Sequence, residues 1–211
     1  MNNIFQEIDY IFEKSCSEKD IDNVKKLYDK IKDHYNVNIA TYAFREAVFN
    51  NQIEIAKWLL TLDIPPDVYH ASKIFIRDAC NCGNLDMAKL IYNYKDYHIF
   101  GIYEILFRSA CLNGHLDIVK WLYSLDRKPK LEEYWIDELF SLTCIGDNLD
   151  VLKWLYSLEY RPDLEYDNDA AFRYAVENKQ IEVAKWLTTL CDNYSIEIED
   201  NKIKSFRIDQ H

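Results

Sequence analysis

The sequence has little of several residue types and patterns, and each shortage excludes a class of protein. Its 211 residues include four Gly and four Pro, too few for a low-complexity chain. No run approaches the roughly 18 apolar residues of a membrane-spanning helix, since Glu104 interrupts the stretch from His98 to Phe107. Basic residues are also a minority, with 25 Lys and Arg against 36 Asp and Glu and a net charge of -11. We therefore expect no binding to nucleic acid or to a membrane, because both need a basic face.

The first residues carry no recognisable targeting signal. Glu7 and Asp9 lie among the apolar positions of residues 1–11, and no basic residue precedes them. Secretory signals and transit peptides both need positive charge in that region. The apolar fraction of 49% is that of a folded chain. We therefore expect a folded cytoplasmic protein.

One segment recurs along the whole chain. Residues 107–126 read FRSACLNGHLDIVKWLYSLD, and residues 44–63 read FREAVFNNQIEIAKWLLTLD in the same frame. Each copy begins at a large apolar residue, which we call its anchor. Consecutive anchors are 31 to 33 residues apart, and they are Phe12, Phe44, Ile76, Phe107, Phe140 and Phe172. A fixed period of this length is typical of repeat proteins.

Each copy has the pattern of two short helices joined by a polar turn. Leu116, Val119 and Leu122 form an apolar stripe at helical spacing. Asp117 and Lys120, which recur as an acid and a lysine in every copy, are interpreted as a solvated helix face. All four Pro lie between copies, where they interrupt no helix. One hairpin cannot bury its apolar face alone, so the pattern predicts an all-α solenoid of stacked hairpins.

The repeat pattern divides the chain into three parts. Residues 1–31 form a worn N-terminal capping repeat, residues 32–191 form the array, and residues 192–211 form a C-terminal half-cap or tail. Within the tail, residues 194–199 alternate like an extended chain, and Phe206-Arg207 resembles the opening of a further copy. The five repeats of the array lie near residues 36–63, 68–95, 99–126, 132–159 and 164–191.

Tryptophan occupies one position of the predicted second helix in most copies. We expect these side chains to stack and to make most of the contact between repeats, rather than to line a cofactor site. Leu90 takes the place of the tryptophan in one copy. The tryptophans are Trp58, Trp121, Trp154 and Trp186.

The helical part of the repeat resembles the ankyrin family. AC-LNGHLDIVKWL over residues 110–122 is similar to the second half of an ankyrin repeat, AA-xxGHxxVVxxLL, and Leu106-Phe107-Arg108 stands where the family has Pro-Leu-His. The WLYSL endings at residues 121–125 and 154–158 are similar to ankyrin arrays of giant amoebal DNA viruses. The family's Thr-Pro opening and Gly-Ala-Asp linker are absent. Tetratricopeptide arrays have a signature that is missing here, and HEAT-type repeats are longer.

The resemblance implies a non-catalytic protein–protein interaction module, a scaffold or adaptor that acts on a host protein in the host-cell cytoplasm if it is viral. Partners of the family usually meet the concave side, which the linkers and first helices form. The implied protein is a monomer that binds a protein partner and needs no cofactor. Two alternatives remain open, namely a structural spacer or decoy array without a specific ligand and an enzyme with an unfamiliar helical site.

Candidate protein-binding residues come from two places in the repeat. The residue five after each anchor lies at the tip of the first helix, a position that the ankyrin family turns towards partners. Exposed apolar and aromatic groups are typical of interfaces, although packing under the linkers is the alternative. The candidates at the helix tips are Phe49, Asn81, Leu112, Ile145 and Glu177. The linker aromatics that could extend the same patch are Tyr69, Tyr103, Tyr134, Trp135 and Tyr166.

An arginine follows the anchor directly in four copies. We interpret these residues as braces that hold linker carbonyls, in place of the family's turn-bracing histidine. The alternative is an anion-binding ladder for an acidic or phosphorylated partner. The four residues are Arg45, Arg77, Arg108 and Arg173.

Cysteine and histidine spacing predicts no metal or catalytic site. Four of the six Cys lie four residues after an anchor, where Val48 and Val176 stand in other copies, so we expect a small buried slot. The pair Cys80-x-Cys82 lacks the spacing of a zinc site, and no two His recur at i, i+4 around an acid. We therefore expect no catalytic, cofactor-binding or metal-binding residues.

Overall fold

The computed structural model of the chain describes residues 2–94, 101–125 and 133–209, without the side chains of residues 2–6, 69–72 and 133–134. These ranges contain twelve helices in six consecutive hairpins, followed by one β-hairpin. The chain is thus mainly helical, and the β-hairpin is the exception to the predicted all-α class. The helices are α1 (Asn2–Ser15), α2 (Ile21–Ile31), α3 (Val37–Phe49), α4 (Ile53–Leu59), α5 (Val68–Asn81), α6 (Leu85–Tyr92), α7 (Tyr103–Leu112), α8 (Leu116–Tyr123), α9 (Glu133–Thr143), α10 (Leu149–Tyr156), α11 (Tyr166–Glu177) and α12 (Ile181–Thr188).

The chain divides into two compact units, Met1–Ile102 and Tyr103–His211. In the first unit, α1 packs on α3 and α3 on α5, while α2 packs on α4 and α4 on α6. In the second unit, α7 packs on α9 and α9 on α11, while α8 packs on α10. Within each unit, the first helices of the hairpins therefore form one layer and the second helices another.

The anchors lie at the centre of the core. All six anchor side chains are fully buried, and each large apolar side chain contributes about 1.5–3 kcal/mol when it leaves water. The position four after the anchor is buried in every copy, with Cys in four copies and Val48 and Val176 in the others. The prediction of a small buried slot is confirmed.

The tryptophans of the second helices contact tyrosines rather than one another. Each tyrosine belongs to the preceding hairpin, two positions beyond the tryptophan site. The ring centroids are 5.2–5.8 Å apart and the planes are nearly perpendicular in the pairs Tyr28–Trp58, Tyr123–Trp154 and Tyr156–Trp186. This edge-to-face arrangement suits the charge distribution of aromatic rings. The prediction that the tryptophans stack on one another is wrong for Trp58, Trp154 and Trp186, because each of these rings meets a tyrosine of the preceding hairpin.

A two-stranded antiparallel hairpin, β1 (Tyr194–Glu199) and β2 (Lys202–Ile208), follows the last helix. The ring of Tyr194 stacks on the anchor Phe172 at 4.4 Å, and the ring of Phe206 meets the same anchor edge-on at 6.2 Å. Asp200 and Asn201 have positive φ, as a tight hairpin turn requires. The predicted extended stretch is confirmed. The interpretation of Phe206-Arg207 as the opening of a further repeat is wrong, because Phe206 lies in β2 and pairs with Ile196 across the strands.

Side-chain amides join the turns of neighbouring hairpins. In three copies the residue eight after the anchor donates a hydrogen bond to the backbone carbonyl of the residue five after the preceding anchor. The N···O distances are 3.2 Å for Gln52 to Ser17, 2.8 Å for Asn148 to Leu112 and 2.8 Å for Gln180 to Ile145. We call these contacts the amide staples. They satisfy carbonyls at helix C-termini, which have no partner within the helix.

In three hairpins the residue three before the anchor contacts the linker that follows the same hairpin. The Thr41 Oγ1 accepts a hydrogen bond from the Asp67 N–H at 2.9 Å, and the Asp137 carboxylate accepts one from the Asp163 N–H at 2.8 Å. The Asp9 carboxylate pairs with His34 at 2.8 Å in the corresponding place. Sequence reasoning assigned this bracing to the arginines instead.

Candidate protein-binding groove

The solvent side of α3 carries a polar and aromatic stripe. Asn38, Tyr42, Arg45 and Phe49 follow one another at intervals of four, three and four residues, which places them on one helix face. Tyr42 is 56% exposed and Phe49 is 63% exposed. The anchor Phe44 points to the other side and is fully buried. The helix therefore exposes two large aromatic side chains that do not contribute to the hydrophobic core.

The neighbouring helix α5 repeats this stripe. Ile74, Arg77 and Asn81 are three and four residues apart and share one face. Ile74 is 47% exposed, whereas Phe75 beside it is buried and meets the ring of Phe44 at 5.2 Å. The contact between the two rings holds α3 and α5 together below the exposed stripes.

A groove of about 560 Å³ lies between the two stripes. The hydrogen bond from the Asp67 N–H to Thr41 fixes the linker that forms part of its wall. Its lining combines apolar groups with two guanidinium groups and one carboxylate. The lining residues are Val37, Asn38, Thr41, Tyr42, Arg45, Asp67, Ile74, Phe75 and Arg77.

The two arginines of the groove are available to a ligand. Both side chains are exposed. Within the described ranges Arg45 has no hydrogen-bond or ion-pair partner, and Arg77 Nη2 lies 3.6 Å from the Asp78 carboxylate. A guanidinium group presents five N–H donors in a planar fork that matches a carboxylate or phosphate. The groove therefore concentrates positive charge on a chain whose net charge is -11.

The positive charge does not extend to α1. Glu13 occupies the position that Arg45 and Arg77 occupy in α3 and α5. Burial, together with the charges of Asp9 and Glu46, raises the pKa of the Glu13 carboxyl. The neighbouring Lys14 pairs with Glu46 at 2.8 Å. An anionic ligand is therefore favoured across α3 and α5 and disfavoured beside α1.

Sequence reasoning missed the position two before the anchor. In the first unit this position places large exposed apolar residues on three consecutive first helices: Tyr10 (58%), Tyr42 (56%) and Ile74 (47%). In the second unit Ile105 of α7 stands in the same place and is exposed. The recurrence of a large apolar residue two before an anchor was the available signal. This position was overlooked because the sequence does not show which side of the first helix the linker covers. The exposure of a residue two before the anchor depends on that side.

The predicted helix-tip residues lie at the surface. Phe49 and Asn81 are exposed in the first unit, on the same faces as Arg45 and Arg77. Leu112, Ile145 and Glu177 are exposed in the second unit. In addition, the carbonyls of Leu112 and Ile145 accept two of the amide staples, so their backbone is fixed while their side chains remain in solvent.

The predicted linker aromatics do not form one exposed patch. Tyr103 is 3% exposed and its ring stacks on Phe107 at 5.8 Å, so its assignment to the surface is wrong, because it lies in α7 and faces the core. Trp135 is half-buried and its ring lies 5.7 Å from that of Phe107. Tyr166 is also half-buried. The side chains of Tyr69 and Tyr134 lie outside the described residues.

The four arginines serve different purposes. Arg173 donates to the backbone carbonyls of Asn168 and Asp167 at 2.8 and 3.0 Å, which is the predicted bracing. Arg108 pairs with the Glu138 carboxylate of the next hairpin at 3.0 Å. In the described part of the chain Arg45 and Arg77 hold no linker carbonyl, so the bracing interpretation is wrong for these two.

The buried thiols are poor nucleophiles. Burial raises the pKa of Cys16 and of Cys80 to about 12, and it raises the pKa of Cys111 and Cys144 as well. At neutral pH they are protonated, whereas the thiolate is the reactive form. Among the described residues no group of three His, Cys, Asp or Glu is arranged to hold a metal ion. No helix in the described ranges is both long and apolar enough to cross a membrane.

Comparison of the chain with models of known protein families and with curated proteins gives no match. The resemblance to a repeat family therefore depends on the residues quoted above.

Proposed function

We propose that the chain is an ankyrin-like α-solenoid that acts as a non-catalytic protein-binding module, and that the groove between α3 and α5 is a binding site. The observation that carries this proposal is the row of exposed Tyr10, Tyr42 and Ile74 on three consecutive first helices. Contiguous exposed apolar groups on a folded chain mark interaction surfaces. The anchor spacing of 31 to 33 residues and the layered packing within each unit support the solenoid.

The composition of the groove favours a polypeptide ligand. Aromatic and arginine side chains are the residue types most often found at binding hot spots, and Tyr42, Arg45 and Arg77 supply both. Full burial of an exposed Tyr42 or Ile74 side chain by a partner would stabilise the complex by up to about 1.5–3 kcal/mol each. The packed first helices fix the backbone at these positions, so binding needs to order only the side chains.

The proposal is tested by selecting peptides from a random display library on the immobilised chain. The groove variant changes Tyr42→Ser and Ile74→Ser together. The matched control changes Ile105→Ser, which removes an exposed apolar group from the same repeat position in the second unit. Circular dichroism and thermal melting must first show that all three proteins are equally folded.

We expect peptides that are enriched on the parent and on the Ile105→Ser control but not on the groove variant. Enrichment that survives in the groove variant would contradict the assignment of the site. An absence of enrichment on the parent would contradict the binding function and would favour a spacer or decoy array.

A further inference from the structure

We infer that the groove accepts an extended acidic peptide in the polyproline II conformation, with an apolar residue at every third position and a carboxylate beside it. This inference rests on the proposed function and names the chemistry of its partner. It depends on three features of the groove, which are its charge, the spacing of its apolar groups and the parallel row of arginines.

The charge of the groove selects an anionic ligand. The lining holds two guanidinium groups, Arg45 and Arg77, and one carboxylate, Asp67. Arg77 also lies 3.6 Å from the Asp78 carboxylate, so the positive charge without a counter-ion among the described residues is that of Arg45. The absence of a partner for Arg45 in the described ranges leaves its guanidinium group free to form charge-assisted hydrogen bonds. A cationic peptide would instead meet the unpaired Arg45 guanidinium group, and the hydration that its own charges lose there would not be replaced by an ion pair.

The spacing of the helices selects the ligand conformation. Tyr42 and Ile74 occupy the same repeat position on two packed helices, and packed helix axes are about 8–10 Å apart. A polyproline II helix rises about 3.1 Å per residue with three residues per turn, so residues i and i+3 lie about 9 Å apart on the same side. In a β-strand, residues i and i+3 face opposite sides. The polyproline II form therefore brings successive apolar side chains to Tyr42 and Ile74.

The arginines form a second row beside the first. Arg45 follows Tyr42 by three residues, and Arg77 follows Ile74 by three residues, so each guanidinium group lies about one helical turn from its apolar neighbour. The two rows cross the same pair of helices. A ligand whose apolar residues and carboxylates both repeat every third position can therefore meet both rows at once. On α1 the corresponding position is Glu13, which lies near Asp9 and Glu46 and would repel a ligand carboxylate. The ligand is therefore expected to contact α3 and α5 only.

The probe is a fluorescein-labelled peptide of repeating Leu-Glu-Pro triplets. A second probe has the order Glu-Leu-Pro, because a peptide could contact the apolar row and the arginine row in either chain direction. Binding to the full chain is followed by fluorescence anisotropy. Three comparison ligands are used. They are the same peptide with Gln in place of Glu, a peptide of equal composition in which Leu and Glu stand in separate blocks, and a single-stranded oligothymidine of equal charge.

The protein variants separate the groove from the overall charge. One variant carries Arg45→Gln with Arg77→Gln. The control carries Arg161→Gln with Arg207→Gln, which removes two exposed arginines from the second unit and changes the net charge by the same amount.

We expect one of the Leu-Glu-Pro probes to bind, and the Gln and block peptides to bind at least about tenfold more weakly, the effect of one lost charge-assisted hydrogen bond. We expect Arg45→Gln with Arg77→Gln to weaken binding by at least about tenfold and the charge-matched control to change it less than twofold. Equal binding of the Gln or block peptide, equal losses in both double variants, or an equal affinity for oligothymidine would overturn the inference. If neither triplet probe binds while display selection yields other groove-dependent peptides, the ligand chemistry is wrong and the proposed function stands.

Discussion

Gln180 and Asn148 show how single amides connect neighbouring hairpins. Each donates a hydrogen bond of 2.8 Å to a carbonyl of the preceding hairpin. Asn148 lies so close to Gly114 and Gly146 that a Cβ at either glycine would collide with its amide group. Gly114 also has a φ of 75°, which disfavours any other residue there. The position of the Asn148 amide therefore requires glycine at both Gly114 and Gly146.

Replacement of Gln180 by Glu tests the amide staple. The change keeps the size of the side chain but removes the donor and places a negative charge beside the Ile145 carbonyl. We expect the free energy of unfolding at neutral pH to fall by about 1 kcal/mol, the usual contribution of one hydrogen bond. Part of the loss is recovered in acid, where a protonated carboxyl can donate again. Urea unfolding at neutral and acidic pH measures both effects.

The control for this experiment is Glu182→Gln in the same helix. It removes the 2.8 Å ion pair with Lys185, in which both side chains are exposed. Exposed ion pairs contribute a few tenths of a kcal/mol. Equal losses in the two variants would contradict a specific contribution of the staple.

At the scale of one element, α11 begins with an unusual turn. Asp167, Asn168 and Asp169 have φ values of 49°, 55° and 59°, in the left-handed region that costs about 1 kcal/mol or more for each residue. Arg173 binds the carbonyls of the first two, and the Tyr194 hydroxyl donates to the Asp169 carboxylate at 2.7 Å. The β-hairpin thus fixes the start of the helix that it covers.

Replacement of Tyr194 by Phe tests this dependence. The ring remains to stack on Phe172, while the Asp169 carboxylate and the Leu164 carbonyl both lose their contact with the hydroxyl. We expect the free energy of unfolding to fall by about 1.5 kcal/mol, as for other hydrogen bonds to charged groups. The control is Tyr174→Phe, because the Tyr174 hydroxyl forms no hydrogen bond in the part of the chain that the structure describes. Guanidinium unfolding compares the two, and an equal effect would show that the contacts of the Tyr194 hydroxyl with Asp169 and Leu164 contribute nothing.

Much of the helical architecture could be predicted from the sequence, because apolar periodicity alone determines it. The anchors and the Cys or Val slot are buried wherever the repeat places them. The surface was predicted less well, since exposure depends on what neighbouring hairpins and linkers cover. Tyr103 was assigned to the surface and is buried, whereas Tyr42 and Ile74 were overlooked and line the groove. The amide staples were missed because they join residues about 35 positions apart through a geometry that no local pattern encodes.

For the whole molecule, buried tyrosines predict a loss of stability in alkali. Burial raises the pKa of Tyr35, Tyr103 and Tyr194, and for Tyr194 the hydrogen bond to Asp169 adds to the effect. The folded state therefore favours the neutral phenol. This stability is fully present below the unfolded pKa of about 10 and is lost as the pH rises towards the folded values.

We expect the melting temperature to fall steadily between about pH 10 and pH 12. Tyr35→Phe should reduce the fall, since the Tyr35 hydroxyl is buried without a hydrogen-bond partner in the described ranges and its loss leaves no group unsatisfied. Thermal melts followed by circular dichroism measure the change for the parent and the variant. A melting temperature independent of pH in this range would contradict the prediction.

The β-hairpin has a consequence for solubility at high concentration. Its two strands pair only with each other in the described residues, so each leaves one edge of unpaired N–H and C=O groups. Such edges are templates for the addition of further strands and for fibril growth. Here Glu197 and Glu199 on β1 and Lys202, Lys204 and Arg207 on β2 are exposed. Like charges would be brought together and stripped of water if β1 added to β1, or β2 to β2, of another molecule in matching register, so these charges disfavour pairing between identical strands.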